Sequence, residues 1–306
     1  MRQDHDSRQP QPFLGADTET CVEPRTFAAA DATSPHDAAY VTLFTRFRLY
    51  WHADLRVDSF MEFQLLLLTF GTGIQDGVSY PDFHCFASNQ TGNTVVLAVA
   101  LAGGVANLFD PLNVGLSLAA FLAGAILTGQ IGIAVGRRRR AWQFSVNVAQ
   151  TAIVMGAAWI QFVHGVEERG AWACAALALI AFSSGAQVAA ARAMKIPEIS
   201  TAMATAAWVD LLIDDNLMTW RNRPRNRRIL FLAALVAGSF AGAFARTGVG
   251  SPMALVISGV VKALVIVGTL ISKSDRNDNK CGRHSTTSDN DQRFSVSFPD
   301  SVVVAA

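Results

Sequence analysis

The chain has 306 residues, of which 51% are hydrophobic and 16% charged, with a formal net charge of +1. Soluble domains carry about 25% charged residues, so this composition excludes a disordered protein and argues against a soluble enzyme. The near-neutral balance gives no case for nucleic acid or an acidic substrate as a partner.

Residues 1–39 are rich in Asp, Gln, Pro, Thr and Ala and read as a disordered cytosolic tail. The first apolar run begins near Phe60, so insertion is expected to rely on the first membrane helix rather than a cleaved leader. Residues 40–59 mix Phe44, Phe47, Tyr50, Trp51 and Leu55 with Arg46, Arg48 and Arg56. Rings at headgroup level and guanidinium groups on phosphate predict an interfacial amphipathic segment there.

Eight apolar segments follow: Phe60–Tyr80, Cys85–Gly103, Leu112–Val135, Trp142–His164, Ala171–Arg192, Ile199–Ile213, Ile229–Arg246 and Pro252–Ser272. From Phe86 to Gly136 the only charge is Asp110, and Ala141–Val166, Ala171–Ala191 and Ile229–Ala245 contain no Asp, Glu, Lys or Arg. Such runs predict an all-α polytopic membrane bundle over residues 60–272, with halves at about 60–164 and 171–272. The sixth segment is short and contains Asp210. Residues 273–306 read as a second disordered cytosolic tail.

Two basic loops orient the bundle. Arg137–Arg140 form one cluster, and Arg221, Arg223, Arg225, Arg227 and Arg228 form the other. Short basic loops stay cytoplasmic. Eight full crossings would put the first cluster outside. The conflict disappears if one segment of the first pair, and one of the fifth and sixth, returns to the side it came from. That predicts about six crossings, with both termini and both clusters cytosolic.

An internal repeat fits this pairing. Phe70-Gly71-Thr72-Gly73-Ile74-Gln75-Asp76 is echoed by Phe182-Ser183-Ser184-Gly185-Ala186-Gln187-Val188, without the aspartate, and Gly124 and Gly129 by Gly238 and Gly242. An odd number of crossings per half makes the halves inverted, as in transporters with sites near the membrane midplane.

The chemistry concentrates at Phe70–Thr94. Glycine and proline there predict an interrupted helix, whose freed backbone groups need protein or water partners. Polar side chains at membrane depth are costly and face a cavity or a partner. The candidate binding residues are Gln75, Asp76, Asn89, Thr91, Gly92, Asn93 and Thr94, echoed by Gln187, Thr201 and Thr205. Asp76 is the central candidate, a carboxylate that pairs, takes a proton or meets a cation. Lys262, deep in the last segment, is its candidate charge partner, with snorkelling to a surface as the other reading. Gly238-x-x-x-Gly242 signals close helix packing within the chain or in a homodimer.

Asn89-Gln90-Thr91 matches a glycosylation pattern but sits inside an apolar run. The scattered Cys21, Cys85, Cys174 and Cys281 carry no metal or disulfide pattern, and no cofactor is expected. Catalytic motifs such as G-x-S-x-G, H-E-x-x-H or a P-loop are missing, which predicts that the chain is not an enzyme.

Phe70–Asp76, Pro81–Val95 with its Asn-Gln-Thr-Gly-Asn-Thr core, and Ala204–Leu212 resemble the fungal branch of the YoaK family (domain of unknown function 1275). The resemblance covers about residues 60–272 and implies about six membrane helices without an assigned activity. The family's second half usually keeps Thr-Gly where this chain has Thr205-Ala206, a departure that weakens a symmetric second site. The expected function is a transporter or channel for a small solute. The alternative is a membrane scaffold or sensor whose tails recruit partners.

Overall fold

A computed structural model describes residues 45–103, 109–219 and 221–275. The proposed tail at 1–39 and residues 276–306 of the one proposed at 273–306 lie outside the described residues. Within these, the chain forms α1 (Ser59–Phe83), α2 (Gln90–Leu101), α3 (Pro111–Val135), α4 (Arg140–His164), α5 (Ala171–Arg192), α6 (Ala204–Leu212), α7 (Arg223–Val249) and α8 (Ser251–Ile271). Each predicted apolar segment yields one helix.

Local chemistry sets the ends. Asp58 caps α1 by accepting from Met61 N–H at 3.0 Å, Asp110 caps α3 from Leu112 N–H at 2.9 Å, and Asn222 caps α7 from Arg225 N–H at 3.1 Å. Pro111, Pro224 and Pro252 sit in the first turns, where the missing N–H costs nothing. α1 stops at His84, in the left-handed region with φ 55°.

Five helices, α3, α4, α5, α7 and α8, are long and apolar enough to cross a membrane. The protein is therefore an integral membrane protein of the all-α polytopic class. α1 matches α3 and α4 at 25 residues, but it carries Glu62, Asp76 and Asp82. Its first turn lies beside the start of α7, with Glu62 to Arg223 at 2.5 Å, and its last turn beside the end of α7, with Asp82 to Arg246 at 2.7 Å. α1 thus runs the full depth too. At 1.5 Å per residue, α2 (12 residues) and α6 (9 residues) reach only about 18 and 13 Å, against an apolar core of about 30 Å.

The two ends of the bundle differ. On the arginine face, Leu55 N–H donates to Arg138 C=O at 2.9 Å, Arg56 N–H to Lys273 C=O at 2.9 Å, and Arg227 meets Glu62 and Glu198. This face holds the start of α1, the α3–α4 loop, both ends of α6, the start of α7 and the end of α8. On the opposite face, Asn113 donates to Glu168 C=O at 2.8 Å and Arg169 pairs with Asp110 at 3.5 Å. The segment before α2 folds back onto Asp76, and α2 starts beside Ser117 of α3, while α6 lies beside Arg192 and Arg228 of the arginine face. Six through-running helices and two returning segments put both arginine clusters on one face, as the loop charges require.

The packing is pseudo-two-fold. α1 packs most extensively on α7 and α5 on α3, while α1, α4, α5 and α8 form the inner group. A Cβ at Gly73 or Gly77 of α1 would collide with the α7 backbone, and one at Gly238 with the Phe70 carbonyl. The second pair repeats this: a Cβ at Gly124 would collide with the Phe182 carbonyl, and one at Gly185 with that of Phe121. Helices in lipid gain most from such close backbone approach, because water drives no association there. Gly238-x-x-x-Gly242 is therefore used inside the chain, against α1, and is not a free dimer face.

Two expectations are corrected. α1 and α5 are not interrupted at their glycines: both run unbroken, and the glycines give closeness rather than a break. The breaks come later, at His84–Asn89 and Ala193–Met203. The segment after α8 is also not tail from residue 273. Ser274 bridges Leu55, and Asp275 N–H donates to Asp54 C=O at 2.8 Å. Of the segment 40–59, residues 40–44 lie outside the described residues and 45–52 are helical with Phe47, Leu49 and Tyr50 exposed, while Leu55 turns inward and is buried.

Candidate functional site

The polar side chains of the inner helices meet on the faces they share. Gln143, Asn147 and Gln150 recur at helical spacing on α4, so one stripe of that helix is polar and buried. At the α1–α5 crossing, Ser184 Oγ donates to Gln75 Oε1 at 3.1 Å, and Gln187 Nε2 donates to Thr72 Oγ1 at 2.7 Å. Thr72 and Ser184, like Gln75 and Gln187, hold equivalent positions in the repeat, so the two halves exchange matched bonds. Gln75 Nε2 also reaches Ser258 Oγ at 2.9 Å.

Lys262 sits in this centre, 1% exposed. Its Nζ donates to Gln187 Oε1 at 2.5 Å and to Gln150 Oε1 at 3.0 Å. Among the described residues no carboxylate lies within 4 Å of it. The expected pairing with Asp76 is not formed: Lys262 faces α4 and α5, and Asp76 is bonded elsewhere. The snorkelling alternative also fails, because the ammonium is enclosed.

Toward the arginine face the polar layer continues. Asn147 Nδ2 donates to Thr269 Oγ1 at 3.2 Å, and Gln64 Nε2 to Ser272 Oγ at 2.8 Å. Gln64, Gln143, Asn147, Gln150, Gln187 and Thr269 form the polar wall of a cavity of about 20 Å³, and Leu55, Met61 and Leu65 contribute to its apolar side. At the end of this layer is Arg140, 2% exposed. Its guanidinium donates to Ser272 C=O at 2.5 Å and Tyr50 C=O at 3.2 Å, and lies 3.8 Å over the Tyr50 ring. Sequence reasoning counted Arg140 in a basic cytoplasmic loop and passed over Gln64, Gln143, Asn147 and Gln150. The i, i+4, i+7 spacing of the last three, in a stretch Ala141–Val166 without Asp, Glu, Lys or Arg, was the available signal.

Asp76 has a different job. Its carboxylate accepts the Ser88 N–H at 2.8 Å and the Ser88 hydroxyl. It therefore ties the return segment to α1, rather than lining the cavity. Asn93 works beside it: Oδ1 accepts Phe86 N–H at 2.9 Å, and Nδ2 donates to Phe86 C=O at 2.7 Å and Ser117 Oγ at 3.2 Å. Asn89 caps α2 on Gly92 N–H at 3.3 Å, and the Thr94 hydroxyl bonds back to Gln90 C=O at 2.8 Å. Thr91 and Thr205 are exposed. Thr201 is buried in the loop before α6, with φ 63° and no partner for its hydroxyl. Of the expected binding residues, only Gln187 bonds Lys262, and Gln75 lies at the same α1–α5 crossing. Asp76, Asn89, Gly92, Asn93 and Thr94 build the α1–α2 turn and α2 itself.

The family model "Protein of unknown function (DUF1275)" matches residues 64–268. The chain belongs to this family. No curated protein and no solved structure matches it. The matched range holds both halves of the repeat and all six polar residues of the cavity wall except Thr269, which lies one residue beyond it.

Proposed function

We propose that the protein is a secondary transporter for a small solute, with its site around Lys262, Gln150 and Gln187 rather than at Asp76. The observation that carries this reading is the matched exchange of hydrogen bonds at the α1–α5 crossing, where two inverted halves meet through polar side chains at mid-membrane. Inverted repeats of this kind alternate access by rocking around a site at the repeat interface. The glycine contacts suit α1–α7 and α3–α5 as rigid pairs, and the polar α1–α5 contact as the surface on which they shift. Each end offers a closure: Leu55 and its backbone bonds on the arginine face, and buried Asp82 with Arg246 on the other.

The positive-inside rule puts the arginine face in the cytosol, with the start of α1 and the end of α8. The motif at Asn89–Thr94 supports a place in the fungal branch of the YoaK family. The reading assigns the chain no catalytic step.

Vesicles containing the purified full chain test the proposal with a panel of labelled formate, urea, proline and methylammonium. The expected result is saturable uptake of one solute that Gln187→Leu abolishes in folded protein. A folded chain that moves none of the four would remove the carrier reading. Tail-dependent capture of a partner would then favour the scaffold.

A further inference from the structure

A second cavity, of about 330 Å³, lies at the arginine face and is lined by Arg192, Lys195, Ile196, Pro197, Ile199 and Ser200. Small-ligand sites occupy about 300–1,000 Å³. The wall holds two cations and no Asp or Glu. Among the described residues neither cation has a carboxylate within 4 Å. The Arg192 guanidinium donates to the Met203 sulfur at 3.0 Å, a weak acceptor. Arg223, Arg227 and Arg228 of the same face are matched by Glu62, Glu198, Asp210 and Asp214. Glu198, the one acid between α5 and α6, turns to Arg227 at 3.3 Å rather than into the cavity.

Arg192 stands in the last turn of α5, a helix long and apolar enough to cross the membrane. That position is where hydrocarbon gives way to headgroups. Beside the cavity, α6 begins at its N-cap Met203 and exposes Trp208, Val209, Leu212 and Ile213. Their i, i+1, i+4, i+5 spacing puts them on one side of the helix. Unmatched cations next to an outward apolar stripe fit a ligand with an anionic head and an apolar tail. We infer that the cavity binds the phosphate of an anionic phospholipid, whose acyl chains lie along the exposed side of α6. The arginine fork matches two phosphate oxygens, and Lys195 adds a point charge. Phosphatidylcholine suits the wall less, because its trimethylammonium brings a third cation where no acid stands. The site is independent of whether the chain carries a solute or recruits partners.

The test is thermal unfolding of the full chain in nanodiscs of phosphatidylcholine alone and of phosphatidylcholine with phosphatidylglycerol. Phosphatidylglycerol should raise the midpoint by about 2–4 °C. Arg192→Gln with Lys195→Gln should erase that rise and leave the midpoint in phosphatidylcholine where it is, because both side chains are exposed. Arg137→Gln with Arg139→Gln removes the same charge from exposed positions of the same face outside the cavity, and should keep the rise. Inorganic phosphate added to the phosphatidylcholine discs should leave the midpoint unmoved, since it has no chains to lay on α6. Equal midpoints in the two bilayers, a rise that survives Arg192→Gln with Lys195→Gln, or a rise lost equally in both double variants would each overturn the cavity as a lipid site. A rise with inorganic phosphate as large as with the lipid would make it a site for free phosphate and overturn the lipid assignment.

Discussion

Lys262 donates to Gln187 across 2.5 Å and to nothing acidic, so a positive charge is held in mid-membrane by amide oxygens among the described residues. Lys262→Met removes the cost of desolvation while keeping the volume. Buried charges replaced by apolar groups of like size leave stability unchanged or improve it. The variant should therefore unfold at or above the wild-type midpoint and still lose solute uptake. Lys262→Glu sets a carboxylate against two amide oxygens and should cost about 3–5 kcal/mol. Unfolding followed by fluorescence, with uptake measured on the same preparations, checks both.

Asp76 and Ser88 form a structural clasp, so their loss should look alike. Asp76→Asn keeps one acceptor and loses the charge. Ser88→Ala removes one donor. Each should cost about 1–3 kcal/mol and speed hydrogen exchange at residues 84–89, and the double variant should cost little more than either single one. A purely additive double variant, or a pH-dependence of uptake changed by Asp76→Asn but not by Ser88→Ala, would return Asp76 to the transport chemistry.

The glycine crossings predict paired effects. Gly124→Val and Gly238→Val each force the Cβ into a carbonyl of the partner helix, Phe182 and Phe70 respectively. Overpacking of this kind costs about 1–3 kcal/mol or more, and the pseudo-symmetry predicts similar losses at the two sites. Gly129→Ala meets nothing within 4 Å and should leave the unfolding midpoint where it is.

Topology can be read with a membrane-impermeant thiol reagent. In a background lacking the native cysteines, Arg139→Cys and Met218→Cys lie exposed on the arginine face, and Glu167→Cys on the other. The first two should label from the same side of sealed vesicles and the third only from the opposite side. Labelling of Arg139→Cys and Glu167→Cys from one side would refute the six-crossing arrangement.

Hydropathy and loop charge were enough to predict eight apolar segments, two of which return, and an inverted order of the halves. These features are local or additive: a run without charges must avoid water, and a basic loop resists translocation wherever it stands. The repeat of Phe70–Gln75 in Phe182–Gln187 was legible because equivalent positions do equivalent work, as the bonds to Thr72 and from Ser184 show. The centre of the bundle was legible only in part: Gln75, Gln187 and Lys262 stood out, but Gln150 and the bonds between them did not. Asp76 drew attention as an intramembrane acid, yet its partner is a serine twelve residues on, reached only because the chain turns back at His84. Gln150, Gln187 and Lys262 stand on three helices far apart in sequence, and neutral amides give no signal of charge. Only folding brings their atoms within bonding distance, because each bond joins side chains on different helices.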